Sequence, residues 1–141
     1  MNVPVSRPVP STLSEKIARG DLMAAGCPSR DVLKRLTSRW GVLVLIALQS
    51  GTRRFGDLRR AIGGVSERML AQTLQGLELD GMVERKAFRV VPPHVEYSLT
   101  PLGREAAGKV CDLADWIEVM LPQIAGHWAG REDGAAADAR S

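Results

Sequence analysis

The sequence of 141 residues contains only two cysteines and two histidines. Two cysteines are too few for a disulfide framework. The histidines, His94 and His127, do not lie at metal-ligand spacing from either cysteine. The sequence also lacks a glycine-rich phosphate loop after a strand and a recognisable nucleophile motif. It therefore predicts no catalytic residue, no metal and no cofactor, and an enzyme is not expected.

Long apolar runs are also missing. The longest run, Val42 to Leu48, is far shorter than the ~20 residues that span a bilayer. The N-terminus lacks the basic and then apolar pattern of a secretion signal. These absences predict a soluble, cytoplasmic protein with no membrane partner. Thiols are normally kept reduced in that compartment, so any disulfide would be conditional.

Charge is unevenly distributed along the chain, although the formal net charge is only +3. Residues 28–94 contain 12 Lys and Arg against 6 Asp and Glu, whereas residues 95–141 contain 4 against 8. A basic middle followed by an acidic end is expected if the middle approaches phosphate groups and the end faces protein or water.

The length allows one globular domain with tails. Residues 1–10 carry three prolines and are predicted to form a disordered arm. Residues 11–26 are predicted to form an N-terminal helix, and residues 27–129 the domain itself. Residues 130–141 are small and polar, which predicts a disordered tail.

Hydrophobic periodicity and end signals predict a mainly α domain with a small β hairpin, an α+β fold class. The predicted helices cover residues 28–38, 40–49, 56–62 and 67–79, and a last helix runs from Pro101 past Leu121, with a bend or interruption at Pro122. The predicted strands cover residues 83–88 and 95–99. Two consecutive helices joined by a glycine turn and followed by a hairpin are the parts of a winged helix-turn-helix domain.

The predicted helix after Ser66 has two chemically different sides. Leu70, Leu74 and Leu77 fall on one stripe, and the opposite side carries Arg68, Gln72 and Gln75. Arginine can make paired hydrogen bonds to guanine and glutamine can do so to adenine, so this side can read a major groove. Glu67 either accepts from cytosine or only favours the helix N-terminus. Any amphipathic surface helix also turns polar residues outward, so this pattern alone leaves both interpretations open.

Basic residues surround this pair of helices. They are Arg53 and Arg54 before the first helix, Arg59 and Arg60 on it, and Arg85, Lys86 and Arg89 at the hairpin. Such residues can hold phosphates on both sides of a groove. Each could instead be an ordinary solvated group, but their clustering around one helix pair favours the phosphate interpretation.

Short segments between Cys27 and Leu121 resemble, in this order, the HxlR-type winged-helix regulators, which are mostly bacterial. They are Cys27-Pro28, Trp40, Arg54-Phe55-Gly56-Asp57-Leu58, Val65-Ser66-Glu67-Arg68-Met69-Leu70, Leu74, Leu77-Glu78, Asp80-Gly81-Met82-Val83, Arg85, Val91-Pro92-Pro93 and Val95-Glu96-Tyr97-Ser98-Leu99-Thr100-Pro101-Leu102-Gly103. Each segment is a weak signal alone, and the ordered set is a strong one. Two places depart from the family pattern. Ser38-Arg39-Trp40-Gly41 stands where many relatives have a Gly-Lys-Trp-Thr type sequence, and His94 stands where they often have arginine.

The resemblance implies a homodimer whose helix after Ser66 enters the major groove, with the wing near Pro93 beside the DNA backbone or minor groove. The predicted partner is therefore double-stranded DNA. The candidate DNA-binding residues are Arg54, Ser66, Glu67, Arg68, Met69, Gln72, Gln75, Arg85, Arg89, Pro93 and His94.

The last predicted helix repeats apolar residues at spacings of three and four. The candidate dimerisation residues are Leu102, Ala106, Val110, Leu113, Ile117 and Met120. A helix at the end of so small a domain has limited core to cover, so packing against a second copy is expected, as the resemblance also implies. The alternative is that the helix folds back on its own domain.

Cys27 is a candidate redox sensor. It precedes Pro28 at a predicted helix start, where partial positive charge favours the thiolate. Some HxlR-type proteins sense electrophiles or oxidants with a cysteine at this place, so the resemblance implies a small-molecule or electrophile effector. The alternative for Cys27 is a thiol that only packs. Cys111 lies beside Val110 and Leu113 and is expected to be buried as a small hydrophobe.

Together these patterns predict a sequence-specific DNA-binding transcriptional regulator that binds a pseudo-palindromic operator as a homodimer. One alternative is a winged helix used as a protein-interaction module, because a fold alone does not fix function. The basic surplus around the helix pair disfavours that alternative. Another is a thiol-based electrophile sensor with DNA binding as its output.

Overall fold

The helices and strands begin and end near the residues that the sequence predicts. A computed structural model describes Thr12, Glu15 and residues 26–139, with side chains in the last helix described as far as Arg131. The elements are α1 (Pro28–Thr37), α2 (Arg39–Leu48), β1 (Arg53–Arg54), α3 (Phe55–Ala61), α4 (Glu67–Leu79), β2 (Val83–Phe88), β3 (His94–Leu99) and α5 (Pro101–Ala139). The predicted ends of α4 and β2 are confirmed, and α2 and α3 are displaced by one residue from their predicted ranges.

Side-chain caps explain where the helices start. Ser38 accepts a hydrogen bond from the Gly41 backbone N–H at 3.1 Å, which separates α2 from α1. Ser66 accepts one from the Met69 N–H at the same distance and starts α4. Such caps satisfy backbone donors that have no partner inside the helix.

Three antiparallel strands form the sheet, in the order β1-β3-β2. The register pairs Arg54 with Glu96 on one side of β3 and Lys86 with Glu96 on the other. The sequence predicts the hairpin of β2 and β3 but not the third strand. β1 has only two residues, which is too short for the period-two alternation that identifies a strand.

The core lies around α2, which contacts α1, α3, α4, α5 and β3. Val44 and Leu45 of α2 have no exposed surface, as expected for a helix that is apolar on nearly every side. They pack in one cluster with buried side chains of α4, the sheet and the first turns of α5. The core therefore holds α4 on one side and leaves its other side outward.

The start of α5 lies very close to Gly81 and Met82, which connect α4 to β2. Thr100 accepts a hydrogen bond from the Gly103 N–H at 2.9 Å and donates one to the Gly81 carbonyl. A Cβ atom at Gly103 would overlap the backbone carbonyl of Met82. Only glycine therefore fits where α5 crosses this turn.

The course of α5 narrows one prediction and corrects another. Of the two outcomes predicted at Pro122, the helix is not interrupted there, and the bend stays a prediction. A mid-helix proline costs about 3 kcal/mol, and several helical turns on each side outweigh that loss. The sequence also predicts a disordered tail over residues 130–141, whereas α5 continues to Ala139. Three consecutive alanines, the best helix formers, lie in this stretch, and extending an existing helix is easier than nucleating one.

Only part of the predicted N-terminal helix over residues 11–26 can be compared with the structure. The Glu15 N–H donates to Thr12 Oγ1 at 3.2 Å, and the Thr12 N–H donates to Glu15 Oε2 at 3.1 Å. This reciprocal pair is a capping box, a signature of a helix start. The other residues before Gly26, including the predicted arm 1–10, lie outside the described residues, as do residues 140 and 141.

Replacing Gly103 with alanine is expected to lower the free energy of unfolding by about 3 kcal/mol, because the new methyl group displaces the Met82 backbone. Gly108→Ala in the same helix is the control. Nothing lies within 4 Å of its Cβ position, so this change should stabilise the helix by up to about 1 kcal/mol. Urea unfolding at one fixed protein concentration measures both. Equal stability of the two variants would show that the crossing is not tight.

Candidate nucleic-acid interface

Two short helices, α3 and α4, form the helix-turn-helix. Ile62 and Val65 in the connecting turn are 5% and 6% exposed, so the turn is fixed on the core. Gly64 between them has a φ of 85°, which is favourable for glycine and costly for other residues. The buried residues and this glycine together set the direction in which α4 leaves the turn.

The two sides of α4 are arranged as the sequence predicts. Leu70, Leu74 and Leu77 are at most 1% exposed. The opposite side exposes Arg68, Gln72 and Gln75. Within the described part of the chain, no hydrogen bond or ion pair engages these three side chains. They are therefore available to a partner that offers hydrogen-bonding groups.

Two predicted site residues already have contacts within the chain. The Ser66 hydroxyl caps α4, as described above. A carboxylate oxygen of Glu67 accepts a hydrogen bond from Arg59 on α3 at 3.1 Å. This pair joins the two helices of the motif and favours the interpretation in which Glu67 stabilises the helix start.

The other end of α4 is held by an ion pair that the sequence does not predict. Arg35 of α1 donates to both carboxylate oxygens of Asp80 at 2.6 and 2.7 Å. Asp80 directly follows α4, and its side chain is 7% exposed. The hydrogen bonds to Asp80 raise the pKa of Arg35 above its ordinary value. No sequence signal connects residues 45 positions apart, so only the fold shows that α1 is tied to α4.

The wing is the hairpin of β2 and β3 with the exposed loop 89–93. Arg85, Arg89 and Pro93 are exposed, as expected for residues that approach DNA. His94 instead starts β3 and stacks on Phe88, with ring centroids 4.8 Å apart. Its Nε2 lies 3.4 Å from a carboxylate oxygen of Glu96, and its side chain is 18% exposed. The structure thus places His94 at the base of the loop.

Some of the basic residues around the helix pair bind other parts of the chain. Arg53 donates to the Ala47 carbonyl and to the Ser50 hydroxyl, each at 3.1 Å. Arg60 is paired with Asp57 on the same helix. With Arg59 bound to Glu67, these three arginines support the local fold, and the phosphate interpretation fits Arg54, Arg85 and Arg89 better.

Comparisons with known proteins agree with this geometry. The profile of the HxlR-like helix-turn-helix family matches residues 35–125. The chain is 64% identical over 113 residues to the uncharacterized HTH-type transcriptional regulator YtfH of Escherichia coli (strain K12). The aligned region covers 80% of this chain and 90% of YtfH. This chain belongs to the HxlR-like helix-turn-helix family of transcriptional regulators.

Solved structures also resemble this HxlR-like chain. The structure of the putative transcriptional regulator ytfH from Salmonella typhimurium is 64% identical in sequence and superposes with a TM-score of 0.72. The superposed region covers 75% of this chain and 95% of the ytfH chain. The redox regulator HypR in its oxidized form is 35% identical in sequence and superposes with a TM-score of 0.61. The superposed region covers 66% of this chain and 96% of the HypR chain. The predicted family and the winged helix-turn-helix fold class are confirmed.

The long last helix of the HxlR-like chain divides into two parts. Ala106 and Val110 are half-buried and pack against the core of their own domain. The first turns of α5 are needed to close that core. Further along, a stripe at helical spacing combines exposed apolar residues with half-buried ones outside the core: Leu113, Trp116, Ile117, Met120, Leu121, Ile124 and Trp128. Trp116 and Trp128 were not among the predicted dimerisation residues, although the same spacing continues through them.

The two cysteines lie in different surroundings. Cys27 is half-buried and occupies the N-cap position of α1. Cys111 on α5 is also half-buried, and its thiol donates to Gln49 Oε1 at 2.8 Å. Burial raises the pKa of Cys111, as do the nearby carboxylates of Asp115 and Asp112. The prediction that Cys111 is buried as a small hydrophobe is therefore wrong, because the thiol is only half-buried and is hydrogen-bonded to a polar side chain.

Among the described residues, no helix is both long enough and apolar enough to cross a membrane. No group of three or more His, Cys, Asp or Glu side chains in the same part of the chain is placed to hold a metal ion.

Proposed function

We propose that this HxlR-like regulator binds a pseudo-palindromic site in duplex DNA as a homodimer, with α4 in the major groove. The observation that carries the proposal is the outward side of α4, where Arg68, Gln72 and Gln75 are exposed and have no partner among the described residues. The buried leucines opposite them prevent α4 from turning this side inward. A DNA partner would place the protein in the cytoplasm of a bacterial cell, and no catalytic step is part of the proposal.

Arg68 and Gln72 are the best placed base readers. Both lie in the first half of α4, and residues near the N-terminus of a recognition helix contact base edges. Arginine pairs with guanine O6 and N7, and glutamine with adenine N6 and N7. Gln75 lies on the same side one turn further along and extends this reading surface.

Arg54, Arg85 and Arg89 are proposed to bind phosphates. Arg54 lies on β1, Arg85 and Arg89 lie on the wing, and all three are exposed. Phosphate contacts fix the position of a protein on DNA without reading sequence. In this proposal Ser66 and Glu67 hold α4 in place. Pro93 contacts the DNA backbone, and His94 stabilises the wing by stacking on Phe88.

Dimerisation is proposed to bury the apolar stripe of α5. Single exposed apolar residues are normal on a monomer, but a continuous stripe that includes two tryptophans marks an interaction surface. In a twofold-symmetric dimer the same surface of both copies meets, so the stripe of one copy would pack against the stripe of the other. Two copies would present α4 to successive major grooves about 34 Å apart.

Thiol regulation at Cys27 is a second candidate function. HypR, a structural relative, is named a redox regulator. In this chain Cys27 occupies the N-cap position of α1, and α1 holds the end of α4 through Arg35 and Asp80. A group added to Cys27 that shifts α1 would therefore act on the helix proposed to read DNA.

Alanine substitution should separate base readers from phosphate binders. Arg68→Ala is expected to reduce the preference at one base pair per half-site by about 1 to 3 kcal/mol. Arg89→Ala should weaken all sequences equally and lower the slope of log affinity against log salt by about 0.9 per lost contact. Fluorescence anisotropy with matched operator variants measures both. The same uniform loss in both variants would contradict the assigned reading face.

A charge on the stripe should dissociate the dimer. Ile117→Glu places a carboxylate on the proposed seam, where burial without a partner is costly. We expect it to sediment as a monomer at micromolar concentration. Val119→Glu is the matched control, because Val119 is 72% exposed on the same helix but points away from the stripe. The proposal that the stripe forms the dimer interface is wrong if the Ile117 variant stays dimeric or if both variants dissociate.

Alkylation of Cys27 by a quinone is expected to change operator affinity at least threefold. Cys27→Ser should abolish the change, whereas Cys111→Ser should retain it, since the Cys111 thiol is bonded to Gln49. Mass spectrometry of the modified residue, followed by anisotropy, provides the test. If operator affinity is unchanged after complete modification of Cys27, the thiol does not regulate DNA binding and only packs in the fold.

A further inference from the structure

An exposed apolar side chain lies beside the polar residues of α4. Met69 is 40% exposed, although most of the large apolar side chains of α4 are buried in the core. Its position is about 60° around the helix from that of Gln72. Leu79 is the other large apolar residue exposed on α4, but it ends the helix about 15 Å further along the axis.

The polar groups on the side of α4 around Met69 are already bound within the chain. Thr73 follows Met69 by one turn, and its hydroxyl donates to the Met69 carbonyl at 2.7 Å. At Gly76, one turn further, the aliphatic part of the Arg35 side chain packs 3.2 Å from the Cβ position, and its guanidinium is bound to Asp80. A ligand group that meets this side of α4 is therefore recognised by its apolar surface.

The backbone at Met69 is fixed before any partner binds. Its N–H donates to the Ser66 hydroxyl, and Glu67 in the same turn is held by Arg59. Side chains on a helix lean toward its N-terminus, so Met69 extends toward the end of α4 that enters the groove in the proposed complex. Methionine is flexible and polarizable and adapts to the surface that it meets.

Only one base carries an apolar group in the major groove, namely thymine with its C5 methyl. We infer that Met69 is a specificity-determining residue that contacts a thymine methyl next to the base read by Gln72. This inference rests on the proposed function and adds to it the chemistry of one operator position. The operator should therefore contain a thymine in each half-site that is recognised by its methyl group alone.

Deoxyuridine substitution tests this contact, because it removes the methyl group and keeps every hydrogen-bonding atom of the base. Each thymine of an operator duplex selected with the full-length protein is replaced in turn. For wild type we expect about a fourfold loss of affinity at one thymine per half-site, the value for one buried methyl-sized group. Met69→Ala should bind the thymine and uracil duplexes equally. Met69→Leu should keep the discrimination and serves if the alanine variant is poorly folded.

Leu79→Ala is the matched control and should discriminate as wild type does. The inference is overturned if wild type binds every uracil-substituted duplex as tightly as the thymine duplex. It is also overturned if Met69→Ala retains the fourfold difference. In both cases operator binding itself persists, so the proposed function stands. Failure of the wild-type protein to bind any duplex would instead overturn the proposed function together with this inference.

Discussion

Burial of the leucine stripe of α4 against α2 is the constraint on which the interface depends. Each buried leucine contributes about 1.5–3 kcal/mol, and Leu70, Leu74 and Leu77 are at most 1% exposed. Rotating α4 by one residue would expose a leucine and bring an arginine or glutamine toward the apolar core. The orientation of Arg68, Gln72 and Met69 is therefore a consequence of core packing. α2, which is buried on several sides, supplies the surface on which this packing occurs.

Both ends of α4 are tied to neighbouring elements of the fold. At its start, Glu67 is bound to Arg59 of α3. At its end, Asp80 is bound to Arg35 of α1, and Thr100 at the start of α5 donates to Gly81. α1 begins at Cys27, and α5 carries the apolar stripe proposed to form the dimer. The end of the reading helix thus lies between the candidate sensing segment and the candidate dimer helix, which gives changes at either one a direct physical route to α4.

The parts of the fold that local chemistry determines could be predicted from the sequence. The range of α4 follows from the Ser66 cap, the leucine period and the terminating Asp80-Gly81, and its reading side follows from the same period. Contacts between distant residues could not be predicted. Arg35 and Asp80 carry no shared pattern, and nothing in the sequence shows that Arg53, Arg59 and Arg60 are bound within the chain. The packing of Ala106 and Val110 against the core of their own domain could not be read from the sequence, because core and dimer positions have the same apolar spacing.

The most direct test of the account is selection of duplexes from a random pool by the wild-type protein, followed by sequencing of the bound fraction. The account predicts one inverted repeat whose half-sites are centred about 34 Å apart, or about 10 base pairs, because two copies of α4 would read successive major grooves. Each half-site should contain guanine and adenine at the positions read by Arg68 and Gln72. Recovery of no common motif, although the protein is folded and dimeric, would contradict sequence-specific binding by α4.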